Sequence, residues 1–409
     1  MQLYPHQETS RQFLLDAKRA ILADQPRVGK TLPTAAAAAE HLPAMVVCPA
    51  IAKSVWERAF QAINADLKVT VVNGKKEAQG LSKCDVVIIN YDVVQHVSPT
   101  LYNKFCTLVL DESHRIKSAD AIRTKSCMAM MKEVERVYCL SGTPIPNRPI
   151  ELWPLLNGLG IYRSGYYEFA TRYARMWKAP WGLDVSGASN LPELKALMRP
   201  YVLRRKKEDV FTDYSEPQVS LITFDLPIDK REQEFDADAL VENPNALMAF
   251  EGLAELMREA GLRKVKPAAE FIENLLDSED QVVVFVHHKD VAAQLAEALK
   301  KHKPAVITGD TPRKQRDTYI DEFQAHKRRI IVGNIAAMSE GVDLSAADTV
   351  VFVEATWQTS ALEQASSRIE NISKQSFRPL IYLLTIRASL DHNVLARVLR
   401  KLNVIDQII

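Results

Sequence analysis

The sequence predicts an α/β protein of two lobes, each a parallel sheet with helices on both faces and small helical insertions. Three observations predict it. Short β-branched apolar runs alternate with longer amphipathic stretches, the alternation occurs in two separate series, and 409 residues suit two domains of ordinary size. A run of four to six apolar residues is the length of a strand buried on both faces, and its regular alternation with helical stretches implies βαβ units.

The first series predicts strands at 19–23, 44–48, 69–72, 86–90, 108–110 and 137–140, with helices at 52–65 and 119–132. Residues 150–200 are rich in Tyr, Trp, Arg and Gly, show little strand pattern, and read as a helical insertion. The second series predicts strands at 282–286, 305–307, 330–332, 350–353 and 380–384. Its helices are expected at 290–302, 312–324, 360–372 and 390–402. Residues 229–262 read as an inserted helical region interrupted by Asn243-Pro244-Asn245. The expected division is a first lobe over 1–205, a linker over 206–228 with its hinge near 206–217, and a second lobe over 229–409. No repeat of fixed period and no low-complexity tract interrupts this plan.

Hydrophobic residues make up 47% of the chain and charged residues 25%, enough apolar matter for two sizeable cores. No apolar run reaches the roughly 20 residues that span a bilayer. The start, Met1-Gln2-Leu3-Tyr4-Pro5, lacks a basic region followed by an apolar stretch, so a cytoplasmic or DNA-associated location is expected rather than secretion. Five cysteines without a C-x-x-C pair read as small hydrophobes in a reducing compartment rather than disulfides or zinc ligands. A net charge of +1 does not announce a nucleic-acid binder, but Arg204–Lys207, Arg263–Lys266, Lys300–Lys303 and Lys327–Arg329 are basic clusters. Such clusters are solvated faces or phosphate contacts.

Two motifs carry chemistry. Asp24-Gln25-Pro26-Arg27-Val28-Gly29-Lys30-Thr31 follows the first strand and precedes an Ala-rich helix, ending in the Gly-Lys-Thr of a P-loop. Backbone N–H groups at a helix start attract phosphate, Lys30 adds a point charge for the β- and γ-phosphates, and the Thr31 hydroxyl can ligate magnesium. The competing reading is an ordinary strand-to-helix turn. Downstream, the apolar run Leu108-Val109-Leu110 ends in Asp111-Glu112-Ser113-His114. Asp111 would hold Mg²⁺ and Glu112 would orient the attacking water on ATP; an acidic pair capping a helix is the alternative.

These motifs and their neighbours resemble the Snf2 group of superfamily 2 helicase-like ATPases. Leu140-Ser141-Gly142-Thr143-Pro144-Ile145-Pro146-Asn147, followed by Glu151-Leu152-Trp153-Pro154-Leu155-Leu156, is similar to that group's signature. Tyr4-Pro5-His6-Gln7 resembles its Q motif, and Val46–Ala50 with Trp56-Glu57 its motif Ia. Tyr201–Val210 resembles the segment joining the lobes, Gly341-Val342-Asp343-Leu344 motif V, and Gln364–Arg368 the start of motif VI. The likeness spans nearly the whole chain, and Phe285–Lys289 and Trp56–Phe60 look most like the HARP-type annealing helicases.

The resemblance implies two RecA-like lobes, ATP hydrolysis in the cleft between them, and stepping along duplex DNA, forked or branched DNA included. It implies Gln7, Gly29, Lys30, Thr31, Asp343 and Gln364 at the nucleotide, with Asp343 at the ribose and Gln7 at the adenine. It implies catalysis by Lys30, Asp111, Glu112 and Arg368. DNA contacts are expected at Pro49, Lys53, Tyr91, His287, Gly309 and Trp357, and targeting is left to a partner protein or to DNA structure. Two positions depart from the pattern. Arg27 stands where the group has a glycine, so either the loop tolerates a side chain at ordinary φ or it is distorted. Asn371 stands where motif VI has its second arginine, and Arg368 is expected to act in its place, helped by Arg378 or Lys374. A strand-separating helicase, a non-catalytic nucleic-acid scaffold and the motor of a restriction or defence system are the alternatives. Tyr166, Tyr167, Trp177 and Trp181 are expected to pack the inserted region, with base stacking as the other reading. The adjacent His287 and His288 point to opposite faces of a strand, which disfavours a metal pair.

Overall fold

In the computed structural model the chain divides into two compact units, the first over residues 1–210 and the second beginning at residue 211. The structure describes residues 3–81, 84–142, 148–179, 182–211, 217–234, 252–338, 342–354, 365–369 and 379–396.

The first unit is built on strands β1 (Arg19–Leu22), β2 (Ala44–Cys48), β3 (Val69–Val71), β4 (Val86–Asn90), β5 (Thr107–Leu110), β6 (Arg136–Leu140) and, after a small hairpin β7 (Trp177–Ala179) and β8 (Gly182–Asp184), β9 (Val202–Leu203). Apart from the hairpin they form one sheet in the order β3-β4-β2-β5-β6-β1-β9. Every pairing is parallel, with Ile21 opposite Cys139 and Val202, and Val47 opposite Leu110. The inner strands are buried on both faces, which is why their apolar runs are continuous rather than alternating. One face packs Ile21, Met45, Val47, Leu108 and Leu110 against the 150–198 region; the other packs Leu22, Val46, Val109 and Leu140 against Trp56, Phe60 and the Ala-rich helix.

The second unit holds a six-stranded sheet in the order β10-β15-β14-β11-β13-β12, again parallel throughout. Its strands are β10 (Gln218–Phe224), β11 (Val282–Val286), β12 (Ala305–Ile307), β13 (Ile330–Asn334), β14 (Thr349–Phe352) and β15 (Leu380–Ile386). The helix Leu253–Leu275 packs on it through Val265, Ala268, Ala269 and Ile272, alongside Lys289–Ala298. Each unit is thus a parallel sheet packed by helices, as the alternation of runs predicts.

Several local expectations change. Residues 218–224, expected within the linker, form edge strand β10, paired along its length with β15 from Gln218–Leu380 to Phe224–Ile386. Residues 202–203 extend the first sheet beside β1. The inserted region carries the hairpin β7–β8, which no alternation announced because each strand has three residues. The helix expected to end near 262 continues to Leu275. Within one basic cluster Lys264 is not solvated at all. It is 1% exposed, its ammonium donates to Leu384 O at 3.0 Å and Asp391 Oδ2 at 2.5 Å, and the pair anchors the long helix to the end of β15. Burial works to raise the Asp391 carboxyl, but the Lys264 ammonium outweighs it and holds the group below its ordinary range. Cys48, Cys127 and Cys139 are buried, Cys106 is exposed, and the five are free thiols.

Candidate nucleotide site

Parallel strands deliver their carboxyl ends to one edge of a sheet, and loops there form the binding crevice of open α/β folds. At that edge β1 runs into the loop Asp24–Lys30, β5 into Asp111-Glu112, and β6, lying between them, into Ser141. Helix α1 (Pro5–Ala17) starts nearby, with Pro5 in its first turn and the Tyr4 N–H donating to Gln7 Oε1 at 3.1 Å. Its polar side chains hold the far end of the loop. Gln7 Nε2 donates to Gly29 O at 3.2 Å, and the His6 ring nitrogen lies 3.0 Å from Val28 O. Gly29 has φ +91°, a conformation that favours glycine, and a Cβ there would stand 2.7 Å from Gln7 Nε2 and displace that amide.

Arg27 does not keep ordinary backbone geometry. Its φ is +70°, the left-handed conformation a glycine would adopt without penalty. For an arginine this costs about 1–2 kcal/mol. The loop therefore preserves the path of a glycine and carries a side chain on it, a third outcome beside the two expected.

Helix α2 (Thr31–Ala39) begins at Thr31 and buries Thr34, Ala35, Ala37 and Ala38. Small side chains let its start sit close to the sheet, directing the first N–H groups towards the loop. The Lys30 ammonium donates to Asp24 O at 2.7 Å and Gln25 O at 3.2 Å. Burial pushes its pKa down, while Glu112, Asp24 and Asp111 pull it back up. Asp111 is fixed by its surroundings. Trp56 Nε1 donates to Oδ2 at 2.8 Å, the Glu112 N–H donates to Oδ1 at 3.0 Å, and the Tyr91 hydroxyl donates to the Asp111 carbonyl at 2.7 Å. Burial first, and the adjacent Glu112 second, raise the Asp111 carboxyl to about 6. Glu112 itself has φ +50°, an unfavourable backbone for a glutamate, and its Oε2 lies 3.3 Å from His114 Nδ1, which is 3.0 Å from Ser141 Oγ.

This donor set fits magnesium. Two adjacent carboxylates, one held above its usual pKa by burial and its neighbour, favour a divalent cation, and a threonine hydroxyl with one carboxylate is an oxygen set of the kind Mg²⁺ completes with water and phosphate. Among the described residues no cluster of three or more His, Cys, Asp or Glu forms an all-protein metal cage, and Mg²⁺ sites of this type do not need one. A pH dependence follows. A magnesium ligand at Asp111 would have to be ionised, so ATP turnover at limiting magnesium should fall as pH drops through about 6, up to tenfold per unit. Trp56→Phe removes a bond that lowers the Asp111 pKa and should move the midpoint upward; an unmoved midpoint in a pH–rate profile contradicts the assignment.

The first unit thus brings Gln7, Gly29, Lys30, Asp111 and Glu112 together. In the second unit, the Leu344 N–H donates to Arg368 O at 3.1 Å, placing Arg368 beside Asp343 in the fold. Asp343 is exposed, and its carbonyl accepts from Gln324 Nε2 at 2.7 Å. Gln364, Trp357, Asn371, Lys374, Arg378, Trp181 and Thr143–Asn147 lie outside the described residues.

The expected DNA contacts separate. Lys53 is buried, donating to Val72 O at 2.5 Å and Asn73 Oδ1 at 3.3 Å, and Tyr91 is 2% exposed and braces Asp111. Both side chains are thus engaged inside the fold. Pro49 is buried as well, whereas His287 and Gly309 are exposed. The His287 and His288 N–H groups donate to Glu354 Oε2 at 2.7 and 2.9 Å, and His288 Nδ1 lies 2.6 Å from Oε1, so this pair makes polar strand-end contacts. Of the inserted aromatics, Tyr166 packs edge-on against Trp153, but Tyr167 and Trp177 are exposed.

Trp56 as a partner of Asp111, His114 as a partner of Glu112, and the Asp24–Arg205 pair were not assigned these roles from sequence. Trp56 and Asp111 are 55 positions apart and Asp24 and Arg205 181 apart, separations that leave no local signal, while the contact of Glu112 with His114 depends on the turn that Glu112 opens.

A phosphate loop opening a helix, with a strand-end Asp-Glu on the same sheet edge, defines a P-loop nucleotide hydrolase. Residues 6–253 match the SNF2-related domain and residues 266–372 the helicase conserved C-terminal domain. The chain belongs to the SNF2-related family of helicase-like ATPases. It is 29% identical over 429 residues to the SWI/SNF-related matrix-associated actin-dependent regulator of chromatin subfamily A-like protein 1 of Xenopus tropicalis, covering 99% of this chain and 45% of that protein. It is 26% identical over 410 residues to the DNA annealing helicase and endonuclease ZRANB3 of Homo sapiens, covering 93% of this chain and 38% of that one. The chain spans less than half the length of these relatives. A solved Sulfolobus solfataricus SWI2/SNF2 ATPase core in complex with dsDNA aligns with 22% identity and a TM-score of 0.49, over 100% of this chain and 93% of that one. Among the described residues no helix is long and apolar enough to cross a membrane.

Proposed function

We propose that this ATPase couples hydrolysis to movement along double-stranded DNA, acting on forked or branched duplexes to remodel them or anneal their strands. The observation that carries the reading is the convergence of Lys30, Asp111 and Glu112 on one sheet edge in a chain of this family. Relatives named as a DNA annealing helicase and a regulator of chromatin support DNA as the track.

In this reading Gln7 reads the adenine and also braces the phosphate loop through Gly29. Lys30 trades a carbonyl partner for phosphate oxygens. Thr31 and Asp111 would hold magnesium, which supplies charge neutralisation at the phosphates. Glu112 accepts a hydrogen bond from the attacking water and turns its lone pair towards the γ-phosphorus, and His114 and Ser141 fix that carboxylate. Arg368 neutralises charge on the transferring group, with Asp343 and Gln364 completing the nucleotide contacts. Exposed His287 and Gly309, with Trp357, contact the DNA backbone. Binding dominated by phosphate is insensitive to sequence and weakens steeply with salt.

An ATPase assay over duplex, fork, single-stranded DNA and RNA tests the reading. Duplex and fork DNA should stimulate turnover well above single strands, and a triplex-displacement assay should detect movement. Stronger stimulation by single-stranded RNA or DNA would favour strand separation instead.

A further inference from the structure

The loop that holds Lys30 is gripped from a second direction, by the segment through which the chain leaves its first unit. Asp24 is 1% exposed, and its carboxylate accepts three hydrogen bonds from one residue. The Arg205 N–H donates to Oδ1 at 2.9 Å, Arg205 Nε to Oδ1 at 3.2 Å, and Nη2 to Oδ2 at 2.5 Å. The same guanidinium donates through Nη1 to His6 O at 2.5 Å and through Nη2 to Ser10 Oγ, both in α1. The backbone closes the connection. Gln25 N–H donates to Arg205 O at 3.1 Å, Ala23 N–H to Leu203 O at 2.8 Å, and Lys207 N–H to Gln25 Oε1 at 2.9 Å. Lys207 is itself buried, close enough for its charge to lower the Lys30 pKa.

We infer that Arg205 is a positioning residue that couples occupancy of the phosphate loop to the segment Lys206–Val210, which leads directly to the start of the second unit. The two networks share the backbone of Asp24 and Gln25. An ammonium has three protons, and two from Lys30 go to the carbonyls of Asp24 and Gln25. A phosphate oxygen drawing Lys30 towards it competes with those carbonyls. The peptide units that would move in response belong to Asp24 and Gln25, the two residues whose side chains Arg205 and Lys207 hold. A planar, bidentate grip transmits a displacement where a flexible ammonium would absorb it, so lysine cannot replace arginine here. His6 and Gln7 hold the other end of the loop through Val28 O and Gly29 O, and Arg205 bonds the His6 carbonyl, so both ends of the loop meet at one guanidinium. In motion along DNA this connection is the route by which nucleotide state reaches the second unit.

The inference rests on the nucleotide site proposed above, and the test separates the two. Amide hydrogen exchange of peptides covering 203–210 is followed in the full chain, with and without ADP and magnesium. Nucleotide binding is measured in parallel by displacement of a fluorescent ADP. In the unaltered protein ADP should change exchange in this segment by about fivefold or more, since local opening there reports loop position. In Arg205→Lys that response should vanish while ADP still binds, with kcat falling about tenfold or more and KM for ATP changing less. Gln25→Ala, which spares the buried ion pair, should weaken the response without abolishing it, and it decides the matter should Arg205→Lys fail to fold. Absence of ADP binding in the unaltered protein overturns the site itself. Binding without any change at 203–210, or a full response in either variant, overturns the coupling alone.

Discussion

Replacing Glu112 by Gln should lower ATP turnover by about 10²–10⁴-fold while nucleotide affinity stays near that of the unaltered protein. The isosteric amide keeps the shape of the side chain and can still face His114, 3.3 Å from Oε2. It loses the negative charge that polarises water and the capacity to accept its proton. Lys30 and the loop around Gly29, the phosphate contacts of the proposed site, are untouched. Binding and chemistry therefore separate: displacement titration should give an affinity close to the original, and single-turnover phosphate release should be nearly silent. Glu112 also holds an unfavourable left-handed φ of +50°. Strain of that kind is kept where surrounding structure over-determines a position, and here the Asp111 carboxylate, His114 and Ser141 do so. Turnover in Glu112→Gln within a fewfold of the original would transfer the water-orienting role to another group.

Arg368→Ala should reduce DNA-stimulated hydrolysis by about 10³–10⁵-fold, the range associated with an arginine that neutralises transition-state charge in phosphoryl transfer. The motif VI segment supplies Asn371 where an arginine is expected, and an amide carries no charge to offer. Arg368 sits in a short turn, Ser367–Ile369, whose flanking Ser367 and Ile369 are buried, and its carbonyl accepts from Leu344 N–H at 3.1 Å. The backbone is thus held while the side chain is partly exposed. Truncation should leave the sheet of the second unit intact and DNA affinity little changed, so the loss should appear in kcat. Steady-state ATPase with saturating duplex DNA measures it. Full activity in Arg368→Ala would move the role to another cation of that segment.

The strands at 44–48, 86–90, 282–286 and 305–307 were legible because burial on both faces demands an unbroken apolar run. Strand β10 was not, because an edge strand with exposed Val219 and Leu221 lacks that run and reads as linker. Lys53 and Tyr91 were expected at DNA from the resemblance, and nothing local in the sequence shows how either side chain is engaged. Only the fold shows the Lys53 ammonium turned inward to Val72 O and the Tyr91 hydroxyl under Asp111. Arg27 was recognisable as a departure, yet its left-handed backbone follows from the loop around it and not from its own preference.

By itself the sequence determined the two α/β lobes, the strand–loop–helix that carries Gly29-Lys30-Thr31, the Asp-Glu pair at a strand end and the family. These are local patterns, in which residue type and spacing within about ten positions decide burial period and ligand chemistry. Tertiary structure alone decided that Trp56 clamps Asp111, that Glu354 seats the two histidines, and that Arg205 joins α1, the phosphate loop and the exit segment. Those partners lie up to 199 residues apart. A hydrogen bond acts over about 3 Å of space, and no rule of spacing along a chain records which distant groups folding will bring within that reach.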